Sequence, residues 1–385
     1  MDKKISNKPT ILIEGHYDES DLSKLKVADI WKFHDIRLGQ LRELFEIKNP
    51  ELINTKAFEE KFDIYLKEKS PNGKELSGDY IYFSWSGVLL HTVGEEDIET
   101  LRTNRTKSLI SSEEQEKIRN FTAGVAGLSF GNGIALSLIY SGASKTIKLA
   151  DNDLFETTNL NRVRVGIPSV NQDKTTITAN EIYEISPYAD IELFNEGLNA
   201  DNLEDFIKGT KKLNIVFDVV DDLAMKVRIR LAAKKAKIPV VMLTSLEDSV
   251  LVDVERFDLN PDSEIFHGLL GEITEELLTR EMTESEKAKY AMAIVGPQSV
   301  SYRNLLSLSQ VGTKLVSRPH LFGTVSIVCG IASYILKRIA LNEDMPSMRR
   351  LVRFNEFLDI APNLDDTVES RKQILDRLML EKQGK

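Results

Sequence analysis

Short apolar runs and longer mixed stretches alternate along the later part of the chain, in an order typical of a sheet flanked by helices. Residues 121–127 (FTAGVAG) predict a short buried strand, and residues 134–143 (IALSLIYSGA) predict an apolar helix that packs on it. Residues 145–151 (KTIKLAD) predict the next strand. Residues 213–222 (LNIVFDVVDD) and 237–245 (KIPVVMLTS) predict two more, with a basic helix between them. The pattern therefore predicts an α/β fold with one continuous parallel or mixed sheet.

The beginning of the chain has a different pattern. Residues 27–68 have the spacing of amphipathic helices, and residues 79–93 (DYIYFSWSGVLLHTV) alternate as in a β-hairpin. A polar stretch follows residue 108. We therefore expect a smaller helix-plus-hairpin domain over residues 1–108 and the α/β domain over residues 109–385.

Composition excludes several classes of protein. The chain has 385 residues, 42% of them hydrophobic, and a formal net charge of −10, which argues against a general nucleic-acid binder. Its single cysteine, Cys329, allows no disulfide framework and no cysteine-ligated zinc within one chain, so no zinc is expected. The first ten residues (MDKKISNKPT) are followed by no apolar segment of the secretory type. We expect a cytoplasmic protein.

An uncharged segment between Arg119 and Lys145 is long enough to span a bilayer. It contains several serines and glycines and an asparagine, which would insert poorly. We therefore expect a buried strand and helix there, and no membrane partner.

The stretch GVAGLSFGNG (124–133) covers the end of the first predicted strand and the turn before its helix. Glycines allow the backbone to approach phosphate oxygens, and a helix N-terminus offers unpaired N–H groups to an anion. Gly127, Ser129 and Gly131 are therefore candidates for nucleotide contact, and Asp151, at the end of the next strand, is a candidate for the ribose hydroxyls. Glycine turns of this kind also occur for packing alone, and the stretch by itself leaves both possibilities open.

Further polar residues follow the strand ends, where open α/β sheets bind ligands. A carboxylate in that position can hold Mg²⁺ against a triphosphate. The candidates are two cations, two amides and three carboxylates: Arg162, Lys174, Asn159, Asn161, Asp218, Asp221 and Asp222.

Several separated motifs, in the same order, resemble those of the ThiF/MoeB-like adenylating enzymes, the superfamily that includes the ubiquitin-activating E1 enzymes. The resemblance covers about residues 102 to 345. The motifs are RTNR (102–105), LADND (149–153), NLNR (159–162), NQDK (171–174) and DVVDD (218–222). A late apolar stretch, FGTVSIVCGIASYILKRIAL (322–341), is similar to the family helix that crosses under the sheet.

The resemblance implies a Rossmann-like doubly wound adenylation domain that binds ATP and Mg²⁺. In such enzymes a substrate carboxylate attacks the α-phosphorus of ATP, giving an acyl-adenylate and pyrophosphate. It also implies a homodimer in which one arginine reaches the ATP of the partner subunit. Carried onto this sequence, the roles are Arg105 for that arginine, Asp151 with Asp153 at the ribose-binding strand end, Asn159, Arg162 and Lys174 for the phosphates, and Asp221 for Mg²⁺.

The chain departs from the family pattern in two respects. Aligning the G-x-G-G-x-G of the family places Ser129, Phe130 and Asn132 at glycine positions. The paired CxxC motifs of many relatives and the cysteine nucleophile of thioester-forming relatives are missing, because Cys329 falls on an apolar helical stretch and is expected to be a small core residue. We therefore expect an adenylate that is attacked directly, as in peptide-maturation relatives such as the microcin C7 and pantocin maturation enzymes.

The substrate expected on this basis is a carboxylate on a peptide or small protein. The N-terminal domain could be a winged-helix-like clamp whose edge strand captures an extended peptide, or a dimerisation or lid domain. Residues 248–271 are expected to form a strand and a loop over the site, with His267 as an ordinary loop residue.

Three alternatives stay open. The chain could activate a ubiquitin-like or sulfur-carrier protein. It could be a nicotinamide-dependent oxidoreductase, although that would leave NLNR, Lys174 and Asp221 without a role. It could also be a catalytically silent scaffold that retains the fold.

Overall fold

The structure is a computed structural model that describes residues 8–26, 29–271, 276–278, 283–361 and 366–383. Its strands are β1 (Thr10–Leu12), β2 (Lys32–Asp35), β3 (Asp79–Phe83), β4 (Val88–Thr92), β5 (Ala123–Ala126), β6 (Thr146–Ala150), β7 (Asp190–Phe194), β8 (Ile215–Asp218), β9 (Val240–Ser245), β10 (Ser249–Glu255) and β11 (Met348–Arg353). Its helices are α1 (Glu19–Lys26), α2 (Arg37–Lys48), α3 (Phe58–Glu68), α4 (Glu95–Thr103), α5 (Ser112–Arg119), α6 (Gly131–Tyr140), α7 (Lys174–Ile185), α8 (Leu203–Ile207), α9 (Leu223–Ala236), α10 (Glu284–Val295), α11 (Tyr302–Gln310), α12 (Phe322–Ala340), α13 (Phe354–Phe357) and α14 (Val368–Gln383).

The chain divides into two compact units. Unit 1 comprises Met1–Glu116 and Ala179–Ala189, and unit 2 comprises Lys117–Thr178 and Asp190–Lys385. The boundary expected after residue 108 stays a prediction.

Unit 2 contains a seven-stranded sheet in the order β11-β10-β9-β8-β5-β6-β7. The five strands from β9 to β7 are parallel, and β10 and β11 complete the sheet in antiparallel pairing. The four strands in its middle, β9, β8, β5 and β6, are almost entirely buried, as expected for a parallel sheet covered on both faces. The predicted Rossmann-like doubly wound fold is thus confirmed.

The order of these strands decides where a ligand can bind. From β5 the chain passes through α6 to β6, which pairs with one edge of β5. Strand β8 pairs with the other edge of β5, and β9, which follows through α9, pairs with β8. The strand order therefore reverses next to β5. The carboxyl ends of β5, β6 and β8 meet at this reversal, which is where open α/β sheets place their ligand crevice.

Helix α12 is the apolar helix predicted from residues 322–341. Among the described residues it is the one helix long and apolar enough to cross a membrane, with a mean hydropathy of 1.4 over an 18-residue stretch of which 44% is buried. Its buried face packs against α6, β9 and β10. These contacts are those of a core helix under a sheet.

The loop after β10 corrects one expectation. β10 runs antiparallel to β9, so that Glu255 lies opposite Val240, at the beginning of β9. His267 then pairs with Asp253 of β10, with 3.1 Å between Nε2 and Oδ1. Residues 256–271 therefore follow the sheet edge opposite to the carboxyl ends, and the prediction that they lie over the site is wrong.

Unit 1 contains a four-stranded sheet in the order β1-β3-β4-β2, packed with helices. The hairpin expected over residues 79–93 is present as β3 and β4, in antiparallel register from Asp79 opposite Thr92. The helices expected over residues 27–68 are α2 and α3, but residues 32–35 form β2, parallel to β4. A helix was predicted there because the local sequence shows no sign of this long-range strand partner.

Candidate functional site

Gly127 is the tight turn that ends β5. It has a φ of +89°, and a Cβ atom there would lie 2.5 Å from the carbonyl oxygen of Val219, after β8. Its N–H donates to the carbonyl of Ala150 over 2.8 Å. Both conformation and space therefore require glycine, because any side chain would push the β5 turn away from the β8 loop.

The next two glycines lie inside α6, which begins at Gly131 rather than at the expected residue 134. A Cβ on Gly131 would lie 3.0 Å from side-chain atoms of Val125 and Val219. A Cβ on Gly133 would lie 2.7 Å from the Sγ of Cys329 in α12. These glycines bring the first turn of α6 close to β5 and α12, and the helix N-terminus lies at the strand ends, where its amides suit an anion.

The three loop residues that replace family glycines each have a side-chain contact of their own. Ser129 Oγ accepts a hydrogen bond from Arg162 Nε over 3.0 Å. The Phe130 ring lies 6.2 Å, between centroids, from the imidazole of His320. Asn132 is buried and donates to Thr178 over 3.1 Å.

Asp151 holds the glycine turn and the end of β6 together. Its Oδ2 accepts from Leu128 N over 2.5 Å, and its Oδ1 accepts from Asp153 N over 2.8 Å. Burial raises the pKa of its carboxyl, against the opposing effects of the Lys174 ammonium and these two amides. The carboxylate is fixed in orientation at the end of β6, where the sequence placed a ribose contact.

Lys174 is the first residue of α7 and is 7% exposed. Its Nζ lies 2.7 Å from Oδ2 of Asp153 and 3.8 Å from Oδ1 of Asp151. Asp153 is largely exposed, so its carboxylate can yield to a competing anion. The Lys174 ammonium therefore lies beside Asp151, the candidate for the ribose contact, and a phosphate could displace Asp153 from its ion pair with Lys174.

The NLNR segment forms a 3-10 turn at Thr157–Asn161, capped by Glu156. Asn159 is buried and its side-chain oxygen accepts from Glu156 N over 3.2 Å, so the structure shows it stabilising the turn. Arg162 leaves this turn and donates to Ser129, Asn161 and a backbone carbonyl. Burial lowers the pKa of its guanidinium, and the carboxylates of Asp221 and Glu156 act in the opposite direction.

The three aspartates after β8 have different surroundings. Asp218 is fully buried and pairs with Arg230 over 2.5 Å and Lys226 over 3.2 Å. Asp222 caps α9 by accepting from Met225 N over 2.6 Å. Asp221 is exposed and, within the described part of the chain, its carboxylate makes no hydrogen bond or ion pair. Of the three, Asp221 is thus the carboxylate available to a ligand.

Mg²⁺ is compatible with this arrangement. Within the described ranges, no group of three or more His, Cys, Asp or Glu side chains could hold a metal ion. Nucleotide-bound Mg²⁺ needs one or two carboxylates, with the phosphates and water completing its coordination. The single available carboxylate of Asp221, with the Arg162 guanidinium nearby, fits that kind of site.

Arg105 lies in unit 1, on a 3-10 turn at Asn104–Thr106, and is exposed. Its role across a dimer stays a prediction.

Contacts within unit 2 connect the other candidate residues. Asp151 binds the glycine turn through the amide of Leu128 and lies beside Lys174, and Arg162 binds Ser129 of the glycine loop.

His320 is a residue that the sequence did not single out. It precedes α12, and its carbonyl accepts from Asn161 Nδ2 over 3.0 Å. Burial, followed by the cationic Arg162 and Arg318, lowers the pKa of its imidazole to about 4. The sequence carries no motif that would have indicated it, because its neighbours in the site are 159 and 190 positions away.

Comparisons with known proteins bear on the whole of this region. The profile of the ThiF family matches residues 101–367. An uncharacterized protein of Mycobacterium tuberculosis (strain CDC 1551 / Oshkosh), MT1398, is 35% identical over 294 residues, which make up 76% of this chain and 40% of that protein. The chain thus spans less than half the length of this curated relative.

Three solved structures resemble the chain at low identity. The crystal structure of PaaA is 18% identical, with a TM-score of 0.49 and coverage of 68% of this chain and 84% of that one. E. coli TcdA, a tRNA N6-threonylcarbamoyladenosine dehydratase, is 16% identical, with a TM-score of 0.45 and coverage of 65% and 98%. E. coli MccB with MccA-N7isoASN is 14% identical, with a TM-score of 0.45 and coverage of 77% and 79%. At these scores the likenesses carry no inference about what this chain binds.

Proposed function

Because the chain belongs to the ThiF family, we propose that it is an ATP-dependent adenylating enzyme that activates a carboxylate on a peptide or small protein. The observation that carries the proposal is the convergence, within unit 2, of a helix N-terminus, a fixed ribose carboxylate, two cations and one available carboxylate. These are α6, Asp151, Arg162, Lys174 and Asp221.

In the proposed reaction a carboxylate oxygen of the substrate attacks the α-phosphorus of ATP. The new O–P bond forms as the bond between the α-phosphorus and its bridging oxygen breaks, and pyrophosphate leaves. Arg162 and Lys174 offset the charge on the phosphates, and Asp151 orients the ribose. Asp221 would hold Mg²⁺, which supplies further charge neutralisation when bound.

No enzyme thioester is part of the proposal. Cys329 is the single cysteine of the chain, is 1% exposed and packs against Gly133. Burial raises the pKa of its thiol to about 11, which opposes thiolate formation near neutral pH. The adenylate would therefore be attacked directly by a nucleophile of the substrate or of a second reactant, as in ribosomal peptide maturation.

The edge strand β2 of unit 1 supports a peptide substrate. Among the described strands it pairs with β4 alone. Trp31 precedes β2 and Phe33 lies within it, and these side chains are 86% and 52% exposed. An extended peptide could add to this edge through backbone hydrogen bonds, with its side chains against the two aromatic rings. Trp31 is thus a surface residue.

Nucleotide binding tests the site directly. ATP with Mg²⁺ and AMP should stabilise the protein in a thermal-shift assay, whereas NAD should not, since saturating a site at about 100 times Kd adds about 2.7 kcal/mol. Lys174→Ala should abolish the ATP effect, and Lys211→Ala, at a surface ion pair of the same unit, should preserve it. A shift with NAD alone would favour the oxidoreductase alternative.

Adenylation itself is tested by exchange of labelled pyrophosphate into ATP in the presence of pooled peptides with free carboxylates. Exchange that needs both a peptide and Lys174 would support the proposal. ATP binding with no exchange for any peptide or carrier protein would instead favour a silent scaffold.

The homodimer belongs to the same proposal and rests on the family resemblance of RTNR. If Arg105 completes the site of a partner subunit, mixing Arg105→Ala with Lys174→Ala subunits should restore activity at one site of the mixed dimer. Failure to recover activity, with dimers present by light scattering, would place Arg105 outside the partner's site.

A further inference from the structure

His320 is held between two elements of the nucleotide site. Its ring faces Phe130 of the glycine loop, with 6.2 Å between centroids, and its backbone carbonyl accepts from Asn161 of the NLNR turn over 3.0 Å. The loop before α12 is thereby fixed to both the phosphate loop and the turn that carries Arg162.

The imidazole has an unmet hydrogen bond. Its Nδ1 is buried, and no residue in the described part of the chain pairs with it. A buried polar atom without a partner destabilises the fold, and native proteins keep few of them. Because the low pKa of about 4 leaves the ring neutral near pH 7, it can present one N–H donor and one acceptor.

The neighbours of His320 indicate which part of a ligand would supply the partner. Asn161 joins His320 to Arg162: its Nδ2 donates to the carbonyl of His320 over 3.0 Å, and its Oδ1 accepts from Nη1 of Arg162 over 2.9 Å. Asp151 marks the ribose side of the site, and Arg162 with Asp221 marks the side where the α-phosphorus would react. His320 therefore lies on the side of Arg162, whose guanidinium group suits a carboxylate.

From this placement we infer that His320 contacts the acyl half of the adenylate, by donating a hydrogen bond from Nδ1 to the substrate's carboxyl oxygen. The inference rests on the proposed function and names a substrate-contacting residue for it. No proton is transferred in this contact. The hydrogen bond holds the carboxylate against the α-phosphorus before attack and the acyl carbonyl after it.

The test compares three nucleotide probes by isothermal titration calorimetry: ATP with Mg²⁺, 5′-sulfamoyladenosine, and glycyl-sulfamoyladenosine, which adds an acyl group to the second. His320→Phe keeps an aromatic ring against Phe130 and removes both nitrogens. His320→Gln retains a donor, and His16→Ala removes an exposed histidine of unit 1 as a control. Melting temperatures of all variants show that each one folds.

We expect the acyl group to tighten binding to the wild-type protein, and His320→Phe to lose about tenfold in affinity for the glycyl probe, as for one lost hydrogen bond. Its affinity for ATP should change less than about twofold, and His320→Gln should recover most of the loss. Equal losses for all three probes, no loss, or no gain from the acyl group in the wild-type protein would each overturn the inference. Absence of ATP binding by the wild-type protein would refute the proposed function itself, and the inference with it.

Discussion

Replacing Gly133 with alanine should destabilise the protein, and replacing Cys329 with alanine in the same chain should remove most of that loss. The added Cβ would lie 2.7 Å from Sγ of Cys329, closer than a carbon and a sulfur atom can approach. Cys329 is 1% exposed, so its sulfur cannot move into solvent. One of the two helices, α6 or α12, must therefore shift, or the thiol must leave its rotamer.

The magnitude follows from opposing effects. Overpacking a core costs about 1–3 kcal/mol, whereas exchanging glycine for alanine inside a helix gains up to about 1 kcal/mol. Gly133→Ala should therefore lose about 1 kcal/mol net. Cys329→Ala removes one buried sulfur and should also lose about 1 kcal/mol. In the double variant the clash is gone, and the gain from alanine over glycine in the helix remains. We therefore expect the double variant to be about 1–2 kcal/mol more stable than the sum of the two single losses implies.

Urea unfolding followed by far-UV circular dichroism measures these differences for the wild-type protein, the two single variants and the double variant. Pyrophosphate exchange on the same samples shows whether the cysteine-free chain still forms an adenylate. Additive losses in the double variant would refute the packing contact between α6 and α12. Loss of product with exchange intact in Cys329→Ala would show that a thioester follows the adenylate.

Three further predictions concern buried and exposed charges. Arg230→Met should cost about 3–5 kcal/mol because it leaves buried Glu255 without its cation and buried Asp218 with Lys226 alone, whereas Lys211→Met should cost under about 1 kcal/mol at its exposed pair; equal costs in urea unfolding would contradict this. Because the folded pKa of His320 lies below its unfolded value of 6.5, the free energy of unfolding should fall as pH drops from about 6.5 to 4, by up to about 3 kcal/mol, and His320→Gln should flatten that slope in urea titrations. Asp221→Asn should lower pyrophosphate exchange by about 10²- to 10³-fold without changing the melting temperature, since the side chain is exposed; a lower melting temperature would indicate a structural role instead.

Four strands of unit 2, β5, β6, β8 and β9, could be predicted because each is a short, mostly apolar run. Strands β7 and β11 were not predicted, because charged residues interrupt their sequences DIELF and MRRLVR. Asp151 and Asp221 were likewise chosen because side chains just after parallel strands meet at one edge of the sheet, and their roles stay predictions. β2 could not be found in this way. Its residues Lys32–Asp35 are largely exposed and form a strand only because β4 is available as a partner.

The surroundings of the carboxylates after β8 could not be predicted from the sequence. Asp218, Asp221 and Asp222 lie within five positions, and only the family resemblance assigned the metal to Asp221. Asp218 is neutralised by Arg230, which lies one helix later and also pairs with Glu255 of β10. A buried carboxylate of this kind is held by tertiary contacts between elements, and no local pattern records them.

The altered glycine loop bears on the choice between an enzyme and a silent scaffold. A scaffold that had lost nucleotide binding would have no need to keep Arg162 oriented, yet Ser129, at a family glycine position, accepts the Nε–H of this arginine. Phe130, at another such position, lies against His320, the residue with the unmet hydrogen bond on the reacting side. Gly127 meanwhile keeps the turn that no side chain would permit. The loop thus keeps glycine where the turn requires it. At the other two positions, side chains replace glycine and contact the residues proposed to bind the phosphates and the acyl group. This arrangement suits a working adenylation site, and a silent scaffold would leave it unexplained.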